Sequence, residues 1–280
     1  MKKRKITVSP NSGFCFGVKR ALDIAGKAIK ERGVVYSLGP IIHNPQVVRE
    51  FSEKGLKVIK GINDVSEKSA AVLVPSHGIN PLALGKKRFT CIDTTCPLVG
   101  RVQKIVSGLK KKDYFIIIVG DKNHPEVRGL AGIAGKQSSV VKNKKEAKAL
   151  NLKPGKVALI SQTTASVSNF RDVVSVVAKK DLTELAAFNT VCRNTSLRRK
   201  NAELLAAKVE AMIVIGGRQS ANTSKIISAC RKVNANTCGV ESAKDLKAKF
   251  LKGKKSIGIA TGASTPQRAI DEVVKKIRRV

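Results

Sequence analysis

The stretch Tyr114–Gly129 reads YFIIIVGDKNHPEVRG. Its apolar run, Phe115–Val119, is rich in β-branched residues and does not alternate with polar ones, which is typical of a strand buried on both faces of a parallel sheet. The polar segment after it carries His124 and Glu126 on either side of Pro125. Ligands of open α/β sheets bind at the carboxyl ends of strands, where a histidine and a carboxylate can bind an anion and move a proton. The stretch predicts an α/β fold with a candidate site in this loop, although a polar surface turn would show the same pattern.

The composition is that of a folded protein. The chain has 280 residues, of which 42% are hydrophobic, so it can form one large or two to three small domains and is not expected to be disordered. No apolar run approaches the roughly 20 residues that cross a bilayer. The segment MKKRKITVSP is basic but lacks the apolar region of a secretory signal, so we expect no membrane partner and a cytoplasmic protein.

The net charge is strongly positive. Lys and Arg total 54 against 20 Asp and Glu, a formal charge of +34, which attracts polyanions and anionic substrates. The basic residues are spread along the chain, aromatic residues make up 4%, and tryptophan is absent, which is poor material for stacking on bases. Nucleic acid is therefore not expected as a partner, but a basic nucleic-acid-binding protein is the alternative that the charge suggests.

The spacing of the six cysteines predicts neither a disulfide framework nor a CxxC metal site. They are at positions 15, 91, 96, 192, 230 and 238. In a cytosolic chain of this size, cysteines more often serve metal binding or catalysis. For Cys230 and Cys238 we predict small buried hydrophobes.

The sequence divides into three predicted α/β domains, 1–96, 97–191 and 192–280. Three predicted helices begin directly after a cysteine: Cys15 stands in a Gly-rich turn, Cys96 precedes Pro97, and Cys192 opens the third. The partial positive charge of a helix N-terminus favours a thiolate. Each domain also has two apolar strand runs that end in polar loops.

These strand-end loops carry the candidate binding residues. They are His43 and His77 in the first domain, His124, Glu126, Thr163 and Thr164 in the second, and Ser220, Asn222 and Ser264 in the third. All three histidines of the chain are in such loops. A pseudo-threefold arrangement would bring the six loops and the three cysteines to one central site.

Three thiolates at helix starts are good ligands for one metal centre. A structural zinc site would need a fourth ligand, and a cubane iron–sulfur cluster normally takes four cysteines. A cluster held by three would leave one iron open to a substrate, as a Lewis acid and a source of electrons. The hydroxyl, amide and imidazole groups of the loops suit a phosphate or diphosphate, and Glu126 can give a proton.

Several motifs resemble those of one enzyme family. In order they are GFCFGVKRA with Cys15, IIHNP with His43, SHG with His77, DTTCPLV with Cys96, NHPEVRG, SQTTASV, Cys192, QSANT and TGASTP. They resemble the 4-hydroxy-3-methylbut-2-enyl diphosphate reductases of the LytB family, which complete the methylerythritol phosphate route of isoprene biosynthesis. The resemblance covers essentially the whole chain.

The resemblance implies a trefoil-like arrangement of three α/β domains around a [4Fe-4S] cluster. Cys15, Cys96 and Cys192 would be the metal ligands, and the allylic hydroxyl of the substrate would bind the remaining iron. Two electrons, from a ferredoxin or flavodoxin, and protons would then remove this hydroxyl as water and give isopentenyl and dimethylallyl diphosphate. The chain would be a monomer or homodimer.

The resemblance also assigns roles to the loop residues. Glu126 would be the proton donor, with His124 and Thr163 or Thr164 near the substrate hydroxyl. The diphosphate would be held by His43, His77, Ser220, Ala221, Asn222 and Ser264.

The chain departs from the family pattern at two places in this set. Ala221 stands where family members usually have a second serine, so one hydroxyl contact would be lost while the backbone N–H stays available. The stretch after Cys192 reads RNTSLRRK and is unusually basic. Arg193 would raise the reduction potential of a cluster, since positive charge favours the reduced state. A family member that keeps the fold without the cluster is a second alternative, although all the motif cysteines and histidines are present.

Overall fold

The computed structural model describes residues 4–65, 70–85, 89–218 and 220–279. In these ranges the chain forms three four-stranded sheets, and every strand pair in them is parallel. Helices connect the strands, so the predicted α/β fold is confirmed.

The strands are short, and three brief 3₁₀ turns accompany them in the described ranges. The strands are β1 (Lys5–Val8), β2 (Val35–Leu38), β3 (Leu56–Ile59), β4 (Ala71–Val74), β5 (Thr90–Asp93), β6 (Phe115–Val119), β7 (Ser138–Val141), β8 (Lys156–Ser161), β9 (Glu184–Phe188), β10 (Ala211–Ile215), β11 (Thr237–Val240) and β12 (Ser256–Thr261).

The helices follow most of these strands. They are α1 (Phe16–Arg32), α2 (Pro45–Glu53), α3 (Pro97–Lys111), α4 (Pro125–Ala134), α5 (Lys144–Lys148), α6 (Val167–Val177), α7 (Arg193–Ala206), α8 (Ala221–Val233), α9 (Ala248–Leu251) and α10 (Gln267–Arg279). As predicted, α1, α3 and α7 begin directly after Cys15, Cys96 and Cys192.

The three sheets repeat one topology. Their strand orders are β3-β2-β4-β5, β7-β6-β8-β9 and β11-β10-β12-β1. In the first two, the first and third strands in sequence lie in the centre, and the fourth lies at an edge. The last sheet has the same order only because β1, from the start of the chain, takes the place of the fourth strand. The threefold repetition is therefore closed by the N-terminal segment.

Strand β6 is buried on both faces, as the apolar run predicts. Ile116 and Ile118 lie in one hydrophobic cluster, with Val127 of α4, and Ile117 and Val119 lie in another on the opposite face. All four of these strand side chains are fully buried. Because both faces are covered by helices, only the strand ends of this sheet are open to a ligand.

The described residues form two compact units. One comprises Met1–Lys19, Ile42–Phe51 and Arg193–Val280, and the other comprises Arg20–Ile41 and Ser52–Cys192. Strand β1 pairs with β12 and lies in the sheet of the last third of the chain, not in that of residues 1–96. The domain borders at 96/97 and 191/192, and the trefoil arrangement, stay predictions.

No helix in the described part of the chain is long and apolar enough to span a membrane. The cytoplasmic location stays a prediction.

Candidate active site

The predicted proton donor lies in a helix. Helix α4 begins at Pro125, and His124 caps its N-terminus, where Nδ1 accepts a hydrogen bond from the Glu126 amide at 3.2 Å. The expectation that Glu126 stands in a loop is wrong, because Pro125 suits the first helical position, where an N–H would have no partner. The first turn of α4 therefore holds Glu126 at the carboxyl end of β6.

Thr163 connects Glu126 to Cys192. The Thr163 amide donates to Glu126 Oε1 at 2.7 Å, and the hydroxyl donates to Oε2 at 2.8 Å. The Thr163 carbonyl accepts from the Cys192 amide at 2.8 Å. Glu126 is only 3% exposed, so these bonds replace the hydration of its carboxyl group. One threonine thus orients both the predicted proton donor and a predicted metal ligand.

The backbone contact of Cys192 recurs at the other two predicted ligands. The Cys96 amide donates to the Ser76 carbonyl at 2.9 Å, and the Cys15 amide donates to the Ala263 carbonyl at 3.0 Å. In all three cases the acceptor lies two residues beyond the last residue of a central strand, β8, β4 or β12. The three cysteines therefore occupy equivalent positions, each tied to a strand-end loop of its own sheet.

The predicted binding residues also fall on equivalent positions. Five residues beyond the end of β2, β6 and β10 lie His43, His124 and Ser220. Three residues beyond the end of β4, β8 and β12 lie His77, Thr164 and Ser264. Each of the second set directly follows the acceptor of a cysteine amide. The repeated topology thus places one cysteine and two polar side chains at the strand ends of each sheet.

His43 is held beside Ser264. The Ser264 hydroxyl donates to the His43 carbonyl at 3.0 Å, and Asn44 Nδ2 donates to the Ser264 carbonyl at 2.7 Å. Burial lowers the pKa of His43 below its ordinary value, because the charged imidazolium loses hydration. This side chain is therefore mainly neutral at pH 7 until an anion binds near it.

Three further predicted diphosphate residues form the N-terminus of α8. Ser220 caps the helix and accepts from the Thr223 amide at 3.3 Å. Ala221 and Asn222 are its first two residues, so their predicted place in a loop is wrong. The Nδ2 atom of Asn222 is buried and has no hydrogen-bond partner in the described part of the chain. A helix N-terminus with an unused donor suits an anionic ligand.

A family model for "LytB protein" matches residues 6–278. The chain belongs to the LytB family. This membership fits the order of motifs along the sequence and gives no support to the nucleic-acid-binding alternative.

Curated relatives of this LytB chain match it over nearly its whole length. Two of them are named 4-hydroxy-3-methylbut-2-enyl diphosphate reductase. The one from Geobacter metallireducens is 39% identical to this chain, and the match covers 99% of this chain and 98% of the relative. The one from Caldanaerobacter subterraneus subsp. tengcongensis is 42% identical, over 98% and 96%.

Solved structures of such reductases resemble this LytB chain as well. One is described as the terminal enzyme of the non-mevalonate pathway. It is 38% identical to this chain with a TM-score of 0.73, and the match covers 99% of this chain and 100% of that one. The Plasmodium falciparum reductase is 28% identical with a TM-score of 0.91, over 98% of this chain and 87% of that one.

The sulfur donors of this LytB chain fit an iron–sulfur group. None of the six cysteines is in a disulfide, and Cys15, Cys96 and Cys192 are each half-buried at a helix start. In the described ranges no three His, Cys, Asp or Glu side chains form a group that could hold a metal ion. Cysteines are among these side chains, so the convergence of Cys15, Cys96 and Cys192 on one cluster stays a prediction, which rests on the chemistry of thiols outside disulfides.

Cys230 and Cys238 were predicted to be small buried hydrophobes. Burial raises the pKa of each thiol to about 11, so both stay protonated near neutral pH. Cys230 is fully buried, as predicted, while Cys238 is partly exposed on β11.

Two buried residues of the site were not predicted from sequence. Thr223 is 2% exposed, and its hydroxyl has no hydrogen-bond partner among the described residues. Arg198 is also 2% exposed and contacts the backbone of the Cys15 segment. A sequence signal for Arg198 is its helical spacing from Ala202 and Ala206, which stand four and eight residues further along the buried face of α7.

Proposed function

We propose that this chain is a 4-hydroxy-3-methylbut-2-enyl diphosphate reductase. It would remove the allylic hydroxyl of this diphosphate as water, with two electrons and protons, and release isopentenyl and dimethylallyl diphosphate. Family membership and the names of the relatives support this reaction. The observation that carries it is the Thr163 bridge, which joins a buried carboxyl group, Glu126, to the backbone of a thiol ligand, Cys192.

Glu126 would act as the acid of the reaction. Both of its carboxyl oxygens accept hydrogen bonds from Thr163, so the orientation of the group is fixed before the substrate binds. A fixed orientation matters because a proton is transferred only over a hydrogen-bond distance. Thr164 and His124 would orient the substrate hydroxyl or relay the proton, since they follow the two central strands of the same sheet.

The thiols of Cys15, Cys96 and Cys192 would hold the [4Fe-4S] cluster. When bound, this cluster would relay the electrons of the external donor and would supply a Lewis-acid iron. The chain's contribution is to present the three sulfur atoms on fixed backbone positions. A ferredoxin or flavodoxin would reduce the protein.

The predicted polar residues would supply hydrogen-bond donors to the diphosphate. His43, Ser264 and the α8 N-terminus, with Ser220, Ala221 and Asn222, are in one compact unit, while His77 is in the other. Asn222 contributes an unused amide donor, and Ala221 contributes only its backbone N–H. A diphosphate carries several acceptor oxygens, so donors from helix N-termini and side chains together offset its charge.

The test begins with anaerobic purification, cluster reconstitution and analysis of iron and sulfide. Single turnovers with the allylic diphosphate and reduced methyl viologen then measure product. We expect Glu126→Gln to keep the iron and lower the turnover rate by roughly 100-fold or more, as is typical for loss of a general acid. Glu31→Gln, on the exposed surface of α1, is the matched control and keeps the wild-type rate. A protein that binds no iron after reconstitution and forms no product would refute the proposal.

A further inference from the structure

The segments before Cys96 and Cys192 are held by a threonine hydroxyl. Thr94 stands two residues before Cys96, and its hydroxyl and amide both donate to the Val74 carbonyl, at 2.5 and 3.1 Å. Thr190 stands two residues before Cys192. Its hydroxyl donates to the Ser161 carbonyl and accepts from the Ser161 amide at 2.8 Å. Val74 and Ser161 are the last residues of equivalent central strands, β4 and β8.

The equivalent position before Cys15 is Gly13, which has no side chain. The last residue of the equivalent strand, β12, is Thr261, and its hydroxyl accepts from the Gly13 amide at 2.9 Å. The Thr261 carbonyl therefore accepts no hydrogen bond from a threonine at this position, whereas the Val74 and Ser161 carbonyls do.

The side chain of Arg198 in α7 contacts both Gly13 and Thr261. Its Nη1 atom lies 2.9 Å from the Gly13 carbonyl, 3.0 Å from the Thr261 hydroxyl and 3.4 Å from the Thr261 carbonyl. It also lies 3.3 Å from the Gly262 carbonyl. One guanidinium nitrogen thus bridges the segment of Cys15 and the loop that leads to Ser264, and it contacts the strand-end carbonyl that a threonine contacts in the other two sheets.

The fold does not need a cation at this helical position. Arg198 stands six residues after Cys192, and the residues six after Cys96 and Cys15 are Val102 and Ala21. All three are almost fully buried, with exposed fractions of 2%, 2% and 0% for Arg198, Val102 and Ala21. Two of the three repeats therefore fill the position with an apolar side chain. A buried charge is retained against its desolvation cost where it has a specific task.

We propose that Arg198 is the positioning residue of Cys15. It replaces the missing threonine hydroxyl, ties the Cys15 segment to the end of β12, and places a permanent positive charge next to one ligand segment. The effect of this charge on an iron–sulfur cluster rests on the function proposed above. The hydrogen bonds between Arg198 and the Cys15 segment do not depend on that function. Because Cys15 follows Gly13 by two residues, its Cα lies within about 8 Å of the Gly13 Cα. Arg198 contacts Gly13 directly, and a buried cation on the segment of a ligand favours the reduced, more negative state of a thiolate-bound cluster.

The first experiment uses the iron-free protein under reducing conditions. Amide hydrogen exchange, read by peptide mass spectrometry, gives a rate for the hydrogen-bonded backbone segment of each cysteine. We expect Arg198→Met to raise the rate at Cys15 by about tenfold, the order expected for losing hydrogen bonds from a charged donor. Thr94→Val and Thr190→Val should raise the rates at Cys96 and Cys192 instead. Lys200→Met removes an exposed charge from the same helix and should change none.

Buried Cys230 reports on general loosening of the structure. If Arg198→Met accelerates Cys15 no more than Lys200→Met does, or accelerates Cys230 equally, the positioning role is refuted. Arg198→Lys keeps the charge with a shorter side chain and should restore part of the protection. This series gives its answer even if the wild-type protein binds no cluster, so its failure is distinct from failure of the proposed function.

The second experiment measures the midpoint reduction potential of the reconstituted protein by a redox titration followed with EPR. We expect the potential to fall in Arg198→Met, to stay near the wild-type value in Lys200→Met, and to be largely restored in Arg198→Lys. An unchanged potential in Arg198→Met would refute the electrostatic part of the proposal, since a purely structural role would alter iron content without shifting the potential.

Discussion

At the scale of single residues, His43 makes the stability of the protein depend on pH. Burial lowers the pKa of His43 in the folded state, while the unfolded chain titrates at its ordinary value of about 6.5. Below that value the unfolded state binds the proton more readily than the folded state does. The contribution of the neutral imidazole is therefore present above about pH 6.5 and is lost as the pH falls through the folded pKa.

We expect the free energy of unfolding to decrease between pH 7.5 and pH 5.5 by more in the wild type than in His43→Gln. Urea denaturation at both pH values measures the difference, and the common contribution of other groups cancels in the comparison. A bound diphosphate should reduce this pH dependence, because it favours the imidazolium. Equal decreases in the two proteins would contradict the assignment.

Two arginines of α7 show how far sequence position predicts a role near the cysteines. Arg193 adjoins Cys192 and was predicted to affect a cluster, but it is exposed, so solvent screens its charge. Arg198 is distant from Cys192 in sequence, yet it contacts Gly13 and Thr261. The sequence identified the cysteines through their motifs. It did not reveal Arg198, because its partners Gly13, Thr261 and Gly262 lie 185, 63 and 64 residues away in the chain.

At the scale of elements, the first turn of α8 fits against the end of β12 through Thr223 and Gly262. A Cβ atom at Gly262 would lie 2.4 Å from the Thr223 hydroxyl and 3.7 Å from its Cβ. Only the hydroxyl stands in the way. Glycine is therefore required here by the close approach of a helix that carries three predicted diphosphate residues.

We expect Gly262→Ala to destabilise the protein by about 1–3 kcal/mol, as is usual for overpacking, and to weaken diphosphate binding. Urea denaturation and calorimetry with isopentenyl diphosphate measure the two effects. Thr223→Ala is the matched second change, because it removes the clashing oxygen. If the double variant is no more stable than Gly262→Ala, the clash with Thr223 is not the cause.

The sequence predicted the central strands of each sheet better than the edges. The apolar runs at β2, β4, β6, β8, β10 and β12 were identified, since they are buried on both faces. The edge strands β1, β3, β5, β7 and β9 were missed. They are partly exposed and carry polar residues, so they lack the continuous apolar run. Their pairing is set by the neighbouring central strand, which is information that a local pattern does not contain.

At the scale of the whole molecule, the repeated topology explains why the predicted functional residues are scattered along the chain. Each sheet contributes one cysteine after its fourth strand and polar residues after its two central strands. The third set is completed by β1, so Cys15 belongs with β12 and Ser264 despite opening the sequence. A cut of the sequence into consecutive thirds cannot reveal this closure, because it assigns β1 to the first third.

The charge of +34 bears on the partner that delivers electrons. A ferredoxin or flavodoxin with an acidic surface should be attracted by this field, and salt should screen the attraction. Between about 50 mM and 500 mM salt the Debye length shrinks from roughly 14 Å to 4 Å. We expect the association rate constant with an acidic ferredoxin to fall by about tenfold or more over this range.

Stopped-flow reduction of the reconstituted protein measures this rate. Reduced methyl viologen is the matched non-protein donor, and its rate should not fall, because like-charge repulsion is also screened by salt. Electrostatic steering acts on encounter, so the first-order step after binding should stay constant as salt increases. If the ferredoxin rate is the same at both salt concentrations, the positive charge does not serve the electron donor.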